Sequence, residues 1–264
     1  MRLADKTAIV VGAGQTPGDS IGNGRATATL FAREAAKVLL VDREIERARE
    51  TEAAISEEGG NAVAFAADIT DEAQCRAMAE ACLEAFGAID ILHNNVGIGP
   101  DSVGPMELTV EEWDRIHQVN LKAMFLSCRA VLPAMREAGR GVITNVSSIA
   151  SVVSIPMLAY KTSKAGVNAL TQAIALDEAK HGLRCNAILP GLIDTPMAIE
   201  GISAARGVAK DDLRRQRDAA VPLGQTMGTA WDVAEAALFL ASDAARFISG
   251  VLLPVDGGQS ARIG

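Results

Sequence analysis

Short apolar runs rich in β-branched residues alternate with longer segments of helical periodicity along this sequence. The apolar runs do not alternate with polar residues, a pattern typical of strands that are covered on both faces. Their regular alternation with helices predicts right-handed crossovers and therefore a doubly wound parallel sheet. The predicted strands are Thr7–Val11, Val38–Val41, Ala62–Ala66, Ile89–His93, Val142–Val146, Arg184–Leu189 and Val251–Val255. The predicted helices are Arg25–Ala36, Glu44–Glu58, Glu72–Phe86, Val110–Met135, Tyr160–His181 and Asp232–Ser242.

Length and composition predict one α/β domain over residues 1–264. The 264 residues are 49% apolar and 22% charged, which suits a protein with a sizeable core and excludes a disordered or fibrous chain. The one long irregular region runs from Thr195 to Thr229 and contains a charged segment, Asp211–Arg217, that we expect to form a helix with one exposed side. An insertion of this size predicts a lid over a binding site.

The charge balance and the cysteines restrict the class of protein. The net charge of −8 argues against nucleic-acid binding and suits a cytoplasmic protein. The four cysteines form no CxxC pair and have no histidines at metal-ligand spacing, so we expect reduced thiols and no metal. The N-terminal residues lead directly into the first predicted strand without a separate hydrophobic region, so we expect no signal peptide. Residues 141–160 carry no charge, but their polar side chains and proline exclude a membrane span.

A glycine-rich turn, residues 12–24, follows the first predicted strand and precedes the first predicted helix. Glycines allow the backbone to approach a pyrophosphate closely, and the amides at the helix N-terminus can bind its negative charge. The position of this turn therefore predicts a dinucleotide site.

The second predicted strand ends in Asp42, where the adenosine ribose of a dinucleotide would lie. A carboxylate there accepts hydrogen bonds from the ribose hydroxyls and repels a 2′-phosphate, so Asp42 favours NAD over NADP. Two arginines, Arg43 and Arg25, leave NADP open because either could reach a phosphate. Asp42 could instead cap the helix that follows.

The only tyrosine, Tyr160, forms a Y-x-x-x-K motif with Lys164 at the start of a predicted helix. A spacing of four residues puts both side chains on one helical face. A phenol has an ordinary pKa of about 10, and it needs a shift of roughly three units to act as an acid or base near pH 7. An ammonium one turn away favours the phenolate, so the pair predicts a catalytic tyrosine assisted by a lysine.

With these features, the whole chain resembles the short-chain dehydrogenase/reductase family of single-domain, Rossmann-like oxidoreductases. The further segments that carry the resemblance are Asn94–Gly97, Val119–Leu121, Asn145–Ser148, Pro190–Thr195 and Gly250–Gly258. In that family a serine, a tyrosine and a lysine, joined by an asparagine, move a hydride between a nicotinamide and an alcohol or ketone. Val96 stands where the family usually has alanine.

The resemblance implies a role for each catalytic residue. Tyr160 would be the general acid and base on the substrate oxygen, and Lys164 would lower the pKa of Tyr160 and hold the nicotinamide ribose. Asn120 would anchor a water that links Lys164 to solvent. A serine would hydrogen-bond the substrate carbonyl. The family's spacing to the tyrosine selects Ser147, and position in the motif selects Ser148, which we favour because the strand end sets the direction of its side chain.

The resemblance also implies a site for NAD. The family's G-x-x-x-G-x-G spacing fits Gly18–Gly24, but residues 14–19 are inserted after the strand, so we assign the phosphate turn to Gly12, Gly22 and Gly24, with Gly18 as the alternative. Asp68 would contact the adenine, or else cap a loop. The implied cofactor contacts are Gly12, Gly22, Asn23, Gly24, Asp42, Arg43, Asp68, Ile69, Asn95, Gly97, Tyr160, Lys164, Ile193 and Thr195.

The implied partners are a small alcohol or carbonyl substrate and, in a homotetramer, further copies of this chain. Two other functions stay open. One is an NADPH-dependent reductase of 3-oxoacyl thioesters, against which Asp42 argues. The other is a nucleotide-sensing protein without catalysis, against which the complete set of Asn120, Ser148, Tyr160 and Lys164 argues.

Overall fold

Seven parallel strands form the central sheet of the computed structural model, which describes residues 1–99 and 104–262. The strands of this sheet are β1 (Thr7–Val11), β2 (Lys37–Asp42), β3 (Asn61–Ala66), β4 (Ile91–Asn94), β5 (Gly141–Val146), β6 (Leu183–Pro190) and β9 (Leu252–Val255). Their order is β3-β2-β1-β4-β5-β6-β9, and each neighbouring pair is parallel. This arrangement confirms the predicted doubly wound α/β sheet. Two short strands, β7 (Ile193–Asp194) and β8 (Gly228–Thr229), pair separately.

Helices cover both faces of the sheet. They are α1 (Asn23–Arg33), α2 (Ile45–Glu57), α3 (Glu72–Phe86), α4 (Val110–His117), α5 (Ala123–Ala138), α6 (Leu158–Glu178), α7 (Pro196–Arg206), α8 (Lys210–Ala219) and α9 (Ala230–Ala241). One apolar core lies between the sheet and α3, α5 and α6, and a second lies between the sheet and α1, α2 and α9. Phe31 and Met78 are fully buried, one in each core. All four cysteines are buried and unpaired.

Two elements differ from the sequence-based predictions. The predicted helix Val110–Met135 is interrupted by a π-helical turn, Gln118–Lys122, which separates α4 from α5. The region from residue 195 to residue 229 is not mostly irregular, since it contains α7, α8 and β8. The start of α7 has a recognisable signal, because Thr195 is its N-cap and Pro196 occupies its first turn.

The strand order places a cleft at the carboxyl ends of β1 and β4. The chain runs outward from β1 to β3 and then returns to β4 on the other side of β1, so the direction of winding reverses there. In open α/β sheets, ligands bind at this reversal because the loops that follow the two strands diverge. The turn after β1, the loop after β4 and the segment after β5 all start at this edge.

Candidate active site

Tyr160 and Ser148 meet at this edge. Tyr160 lies in the first turn of α6, and its side chain hydrogen-bonds that of Ser148. Ser148 ends the segment after β5 and caps a short 3-10 turn, Ile149–Ser151, where its Oγ accepts the Ala150 amide at 3.1 Å. Ser147 is buried instead, and its Oγ donates to the Lys164 carbonyl at 3.0 Å. The structure therefore brings Ser148, and not Ser147, to the tyrosine.

Lys164 lies behind the tyrosine, one helical turn further along α6. Its Nζ donates to the Val146 carbonyl at 2.9 Å and lies 5.9 Å from the centre of the Tyr160 ring. The side chain is almost fully buried, and burial lowers the pKa of Lys164 to about 8. Burial also raises the pKa of Tyr160, while its hydrogen bond with Ser148 opposes that rise.

The sequence-based expectation that Lys164 favours the phenolate of Tyr160 stays a prediction. Lys164 is buried and Tyr160 is partly buried, and the loss of water shifts the pKa of each group towards its neutral form. The local spacing of four residues correctly places the two side chains on one side of α6. Spacing does not reveal how much water each group loses.

Asn120 connects this pair to the loop after β4. It is fully buried in the π-helical turn, a feature that occurs often at functional sites. Its Oδ1 accepts the Ile98 amide at 2.8 Å, and its Nδ2 donates to the Ile98 carbonyl at 3.3 Å and to Ser163 at 3.2 Å. A Cβ added at Gly97 would lie 3.1 Å from Lys164 Nζ. The loop thus lies directly against the lysine.

The turn after β1 approaches the same loop more closely than side chains would allow. Gly12 has a φ of +75°, and a Cβ there would lie 2.8 Å from the Asn95 carbonyl oxygen. A Cβ at Gly24 would lie 1.8 Å from the Gly12 carbonyl oxygen. Asn95 Nδ2 donates to that same carbonyl at 3.3 Å. Only glycine fits at positions 12 and 24. The lack of a side chain there lets the first turn of α1 pack against the ends of β1 and β4.

A family model described as enoyl-(acyl carrier protein) reductase matches residues 18–260. The 2-(R)-hydroxypropyl-CoM dehydrogenase of Xanthobacter autotrophicus is 40% identical over 260 residues, which cover 97% of this chain and 99% of that protein. The chain belongs to the short-chain dehydrogenase/reductase family. The cyclopentanol dehydrogenase of Comamonas testosteroni is 37% identical to this chain, and the matched residues cover 98% of this chain and 99% of that protein. The crystal structure of levodione reductase aligns at a TM-score of 0.93 with 33% identity, covering 99% of this chain and 100% of that one.

Membership makes this short-chain dehydrogenase/reductase an oxidoreductase of a family that uses nicotinamide cofactors. Among the described residues, no three His, Cys, Asp or Glu side chains lie close enough together to hold a metal ion. Across residues 1–99 and 104–262, no helix is long and apolar enough to cross a membrane.

The inserted residues 14–19 of this family member link Asp42 to α7. Asp42 Oδ2 accepts the Gly14 amide at 3.1 Å. Gln15 Oε1 accepts the amide of Gly22, the N-cap residue of α1, at 3.0 Å. A Cβ at Gly18 would lie 2.9 Å from Cβ of Pro196, the first residue of α7. Gly18 therefore lies against α7 and not at the start of α1, which disfavours it as the phosphate-turn glycine.

The three charged residues predicted near the adenosine ribose, Asp42, Arg25 and Arg43, differ in how many contacts they already make within the protein. Asp42 also accepts the Glu44 amide at 3.0 Å, so it holds both the inserted loop and the start of α2. The Arg25 guanidinium is engaged by Thr51 at 3.0 Å and Glu50 at 2.8 Å. Arg43 is exposed beside Asp42.

Asp68 and Ile69 follow β3 at the predicted adenine position. Asp68 Oδ1 accepts the Thr70 amide at 2.9 Å and its hydroxyl at 2.7 Å, which is the loop-capping alternative. The Ile69 side chain is buried in the core, so only its backbone can contact a ligand. The predicted adenine contact stays a prediction for both residues.

Ile193 and Thr195 lie where β7 leads into α7. Ile193 is buried, and a Cβ at Gly228 would lie 2.8 Å from its Cδ1. Thr195 caps α7 through an Oγ1 that accepts the Ala198 amide at 3.4 Å. Arg214 of α8 pairs with Asp194 at 3.1 Å, so α8 is tied to the same strand. Sequence reasoning missed this ion pair because no local pattern relates residues twenty positions apart.

Proposed function

We propose that this chain is an NAD(H)-dependent oxidoreductase that interconverts a secondary alcohol and a ketone. The observation that carries the proposal is the hydrogen bond between Tyr160 and Ser148, with Lys164 buried beside them at the cofactor edge of the sheet. This arrangement presents one proton donor and one hydrogen-bonding hydroxyl to the same small volume, as a carbonyl oxygen requires.

In the reducing direction, Tyr160 gives its proton to the substrate oxygen while Ser148 hydrogen-bonds that oxygen. A nicotinamide cofactor held at this edge of the sheet would supply the hydride that reduces the carbonyl carbon to the alcohol. Tyr160 must then recover a proton, and Lys164 is the adjacent proton-bearing group. The side-chain amide of Asn120 hydrogen-bonds Ile98 and Ser163 and so holds the loop beside Lys164. The predicted water contact of Asn120 would therefore use its backbone carbonyl.

The residues of the glycine turn fit a dinucleotide. Gly12 and Gly24 let the turn pack closely against the ends of β1 and β4, since a Cβ at Gly12 would press on the Asn95 carbonyl and one at Gly24 on the Gly12 carbonyl. Ser20 Oγ and Asn23 Oδ1 are buried near the start of α1 with no hydrogen-bond partner in the described structure. Such unpaired polar atoms are costly unless a ligand or water satisfies them. These two unpaired atoms support the proposal that a dinucleotide binds at this turn. The other predicted contacts of its pyrophosphate and nicotinamide are Gly22, Asn95, Gly97, Ile193 and Thr195.

NAD, rather than NADP, is the cofactor that the charges favour. Asp42 lies at the end of β2 and would repel a 2′-phosphate. The Arg25 guanidinium already binds Thr51 and Glu50, which removes one of the two arginines that could hold such a phosphate. Arg43 alone stays available.

A partly apolar substrate fits the residues around the catalytic segment. Leu158, two residues before Tyr160, is 37% exposed. Met197, two residues after Thr195, is 55% exposed. The relatives are named as 2-(R)-hydroxypropyl-CoM dehydrogenase, cyclopentanol dehydrogenase and levodione reductase. We therefore propose small secondary alcohols and cyclic ketones as substrates, with α7 and α8 in residues 195–229 as the lid.

The test is oxidation of NADH and of NADPH over a panel of ketones, including cyclopentanone, and 3-oxoacyl thioesters. We expect turnover of ketones with NADH, a preference for NADH over NADPH, and loss of turnover in Tyr160→Phe with dinucleotide binding retained. A preference for NADPH and thioesters would assign the reductase alternative. Dinucleotide binding without turnover of any substrate would assign the sensor, and unchanged turnover in Tyr160→Phe would refute the role of the tyrosine.

We further propose a cytoplasmic homotetramer. Large apolar side chains stay exposed on α5, α6 and beside β9, where Phe125, Leu176 and Phe247 are 44%, 83% and 101% exposed. Apolar surface of this kind is typical of an interface. Light scattering at micromolar concentration should give four times the chain mass of 27.5 kDa, and a monomer would contradict the proposal.

A further inference from the structure

A second lysine of the catalytic motif, Lys161, binds the segment that carries Ser148. Its Nζ donates to the Ala150 carbonyl at 3.3 Å and also to the Val153 carbonyl. The side chain is only partly exposed. Hydrogen bonds from an ammonium are about twice as strong as those between neutral groups. Lys161 therefore ties the first turn of α6 to residues 149–153.

The position of Ser148 depends on that segment. Ser148 Oγ accepts the Ala150 amide at 3.1 Å, and the Ser148 carbonyl accepts the Ser151 hydroxyl at 2.6 Å. Asn168 of α6 donates to that hydroxyl at 2.9 Å. A single 3-10 turn has little stability of its own, since such turns have poor hydrogen-bond geometry. Its contacts with α6 therefore decide where the serine hydroxyl lies.

Lys161 immediately follows Tyr160, so the same turn of α6 carries the acid/base group and the contact that holds the serine segment. The Lys161 amide donates to the Met157 carbonyl at 2.8 Å, which makes its backbone part of the helix. Movement of Ser148 relative to Tyr160 must therefore stretch the Lys161 contacts with Ala150 and Val153.

We propose that Lys161 is a positioning residue that holds Ser148 at hydrogen-bonding distance from Tyr160. It acts by binding the Ala150 and Val153 carbonyls and touches neither substrate nor cofactor. The inference rests on the proposed function, because it assigns Lys161 to the reaction that Tyr160 and Ser148 perform.

The test is a double-mutant cycle between Lys161→Met and Ser148→Ala, measured as kcat and KM for the best ketone. Loss of one oxyanion hydrogen bond costs about 100- to 1,000-fold in kcat. A displacement of about 1 Å costs about 100-fold, so we expect Lys161→Met to lower kcat by about 10- to 100-fold. In the Ser148→Ala background, Lys161→Met should change kcat by less than about twofold, because the group that it positions is gone.

Two further variants are matched controls. Lys161→Arg can still donate to both carbonyls and should recover most of kcat. Lys180→Met removes an exposed lysine just after α6 and should leave kcat and KM unchanged. The dinucleotide Kd and the pH profile of Lys161→Met should match those of the wild type, since the proton-bearing groups are untouched. An equal kcat loss from Lys161→Met in both backgrounds would overturn the proposal.

Hydrogen exchange tests the same contact without turnover. Amides of residues 149–153 should exchange faster in Lys161→Met than in Lys180→Met, while those of β1 and β4 stay unchanged. If the wild type turns over no substrate but this exchange increases, the proposed function fails while the anchoring contact stands. Unchanged exchange at residues 149–153, with or without activity, refutes the role of Lys161.

Discussion

Replacing Lys164 with methionine should remove a pH dependence of stability that the wild-type chain carries. Burial lowers the pKa of Lys164 from an ordinary 10.5 to about 8. The difference of about 2.5 units corresponds to about 3 kcal/mol, at roughly 1.4 kcal/mol per unit. Below pH 8 both the folded and the unfolded chain hold the proton, and the folded chain bears the full cost of a buried ammonium.

The sign of the effect follows from proton binding. Between pH 8 and pH 10.5 the unfolded chain holds the Lys164 proton and the folded chain has lost it, so the contribution of Lys164 to stability rises with pH. The buried cysteines act in the opposite direction, because burial raises the pKa of Cys75 to about 11 and of Cys82 and Cys128 to about 12. Burial also raises the pKa of Cys185 and Tyr160. These groups are common to both variants and cancel in the difference.

The assay is urea unfolding of the dinucleotide-free wild type, Lys164→Met and Lys180→Met from pH 7 to pH 10, followed by tryptophan fluorescence at one protein concentration. The free energy of unfolding of the wild type relative to Lys164→Met should rise by about 2 to 3 kcal/mol across this range. The difference in the free energy of unfolding between the wild type and Lys180→Met, which replaces an exposed lysine, should stay constant over the same pH range. A constant difference between wild type and Lys164→Met would show that Lys164 is not desolvated, and would refute the reasoning.

Four other predictions follow from packing. Gly24→Ala should abolish dinucleotide binding and lower stability by about 1 to 3 kcal/mol, because its Cβ would overlap the Gly12 carbonyl. Gly201→Ala, in open space within α7, should instead stabilise the chain by up to about 1 kcal/mol in the same urea assay. Asn145→Leu should lower the free energy of unfolding by about 1 to 3 kcal/mol, since it leaves the buried Thr171 hydroxyl without its donor. A thiol reagent should label no cysteine in the native chain and all four in urea; labelling without urea would contradict their burial.

The central sheet was predictable because its strands are locally distinctive. β1 is a nearly continuous apolar run that is buried along its whole length, and β5, which also contains Thr144 and Asn145, is buried at every residue except Val142. The edge strand β3 shows the limit of that pattern, since alternate residues such as Asn61 and Val63 are exposed although the run is equally apolar. Apolar composition marks a strand, but its neighbours decide how much of it is covered.

The choice between the two serines also depends partly on local sequence and partly on tertiary packing. The motif Asn145–Ser148 places a hydroxyl at the end of β5, and of its two adjacent serines position in the motif favours Ser148 while spacing to the tyrosine favours Ser147. Strand alternation then directs Ser147 into the buried face, where it binds the Lys164 backbone, and leaves Ser148 at the edge with Tyr160. One residue of register separates these outcomes, and only packing against α6 distinguishes them.

By itself, the sequence determined most of the elements, their parallel winding and the positions of Tyr160, Lys164 and the glycine turn, because each depends on residues within a few positions of one another. The tertiary structure decided the contact of the inserted loop with α7, the engagement of Arg25 and the pKa directions of the buried pair. These properties depend on groups brought together from distant parts of the chain and on the water that packing removes, neither of which is written in local spacing.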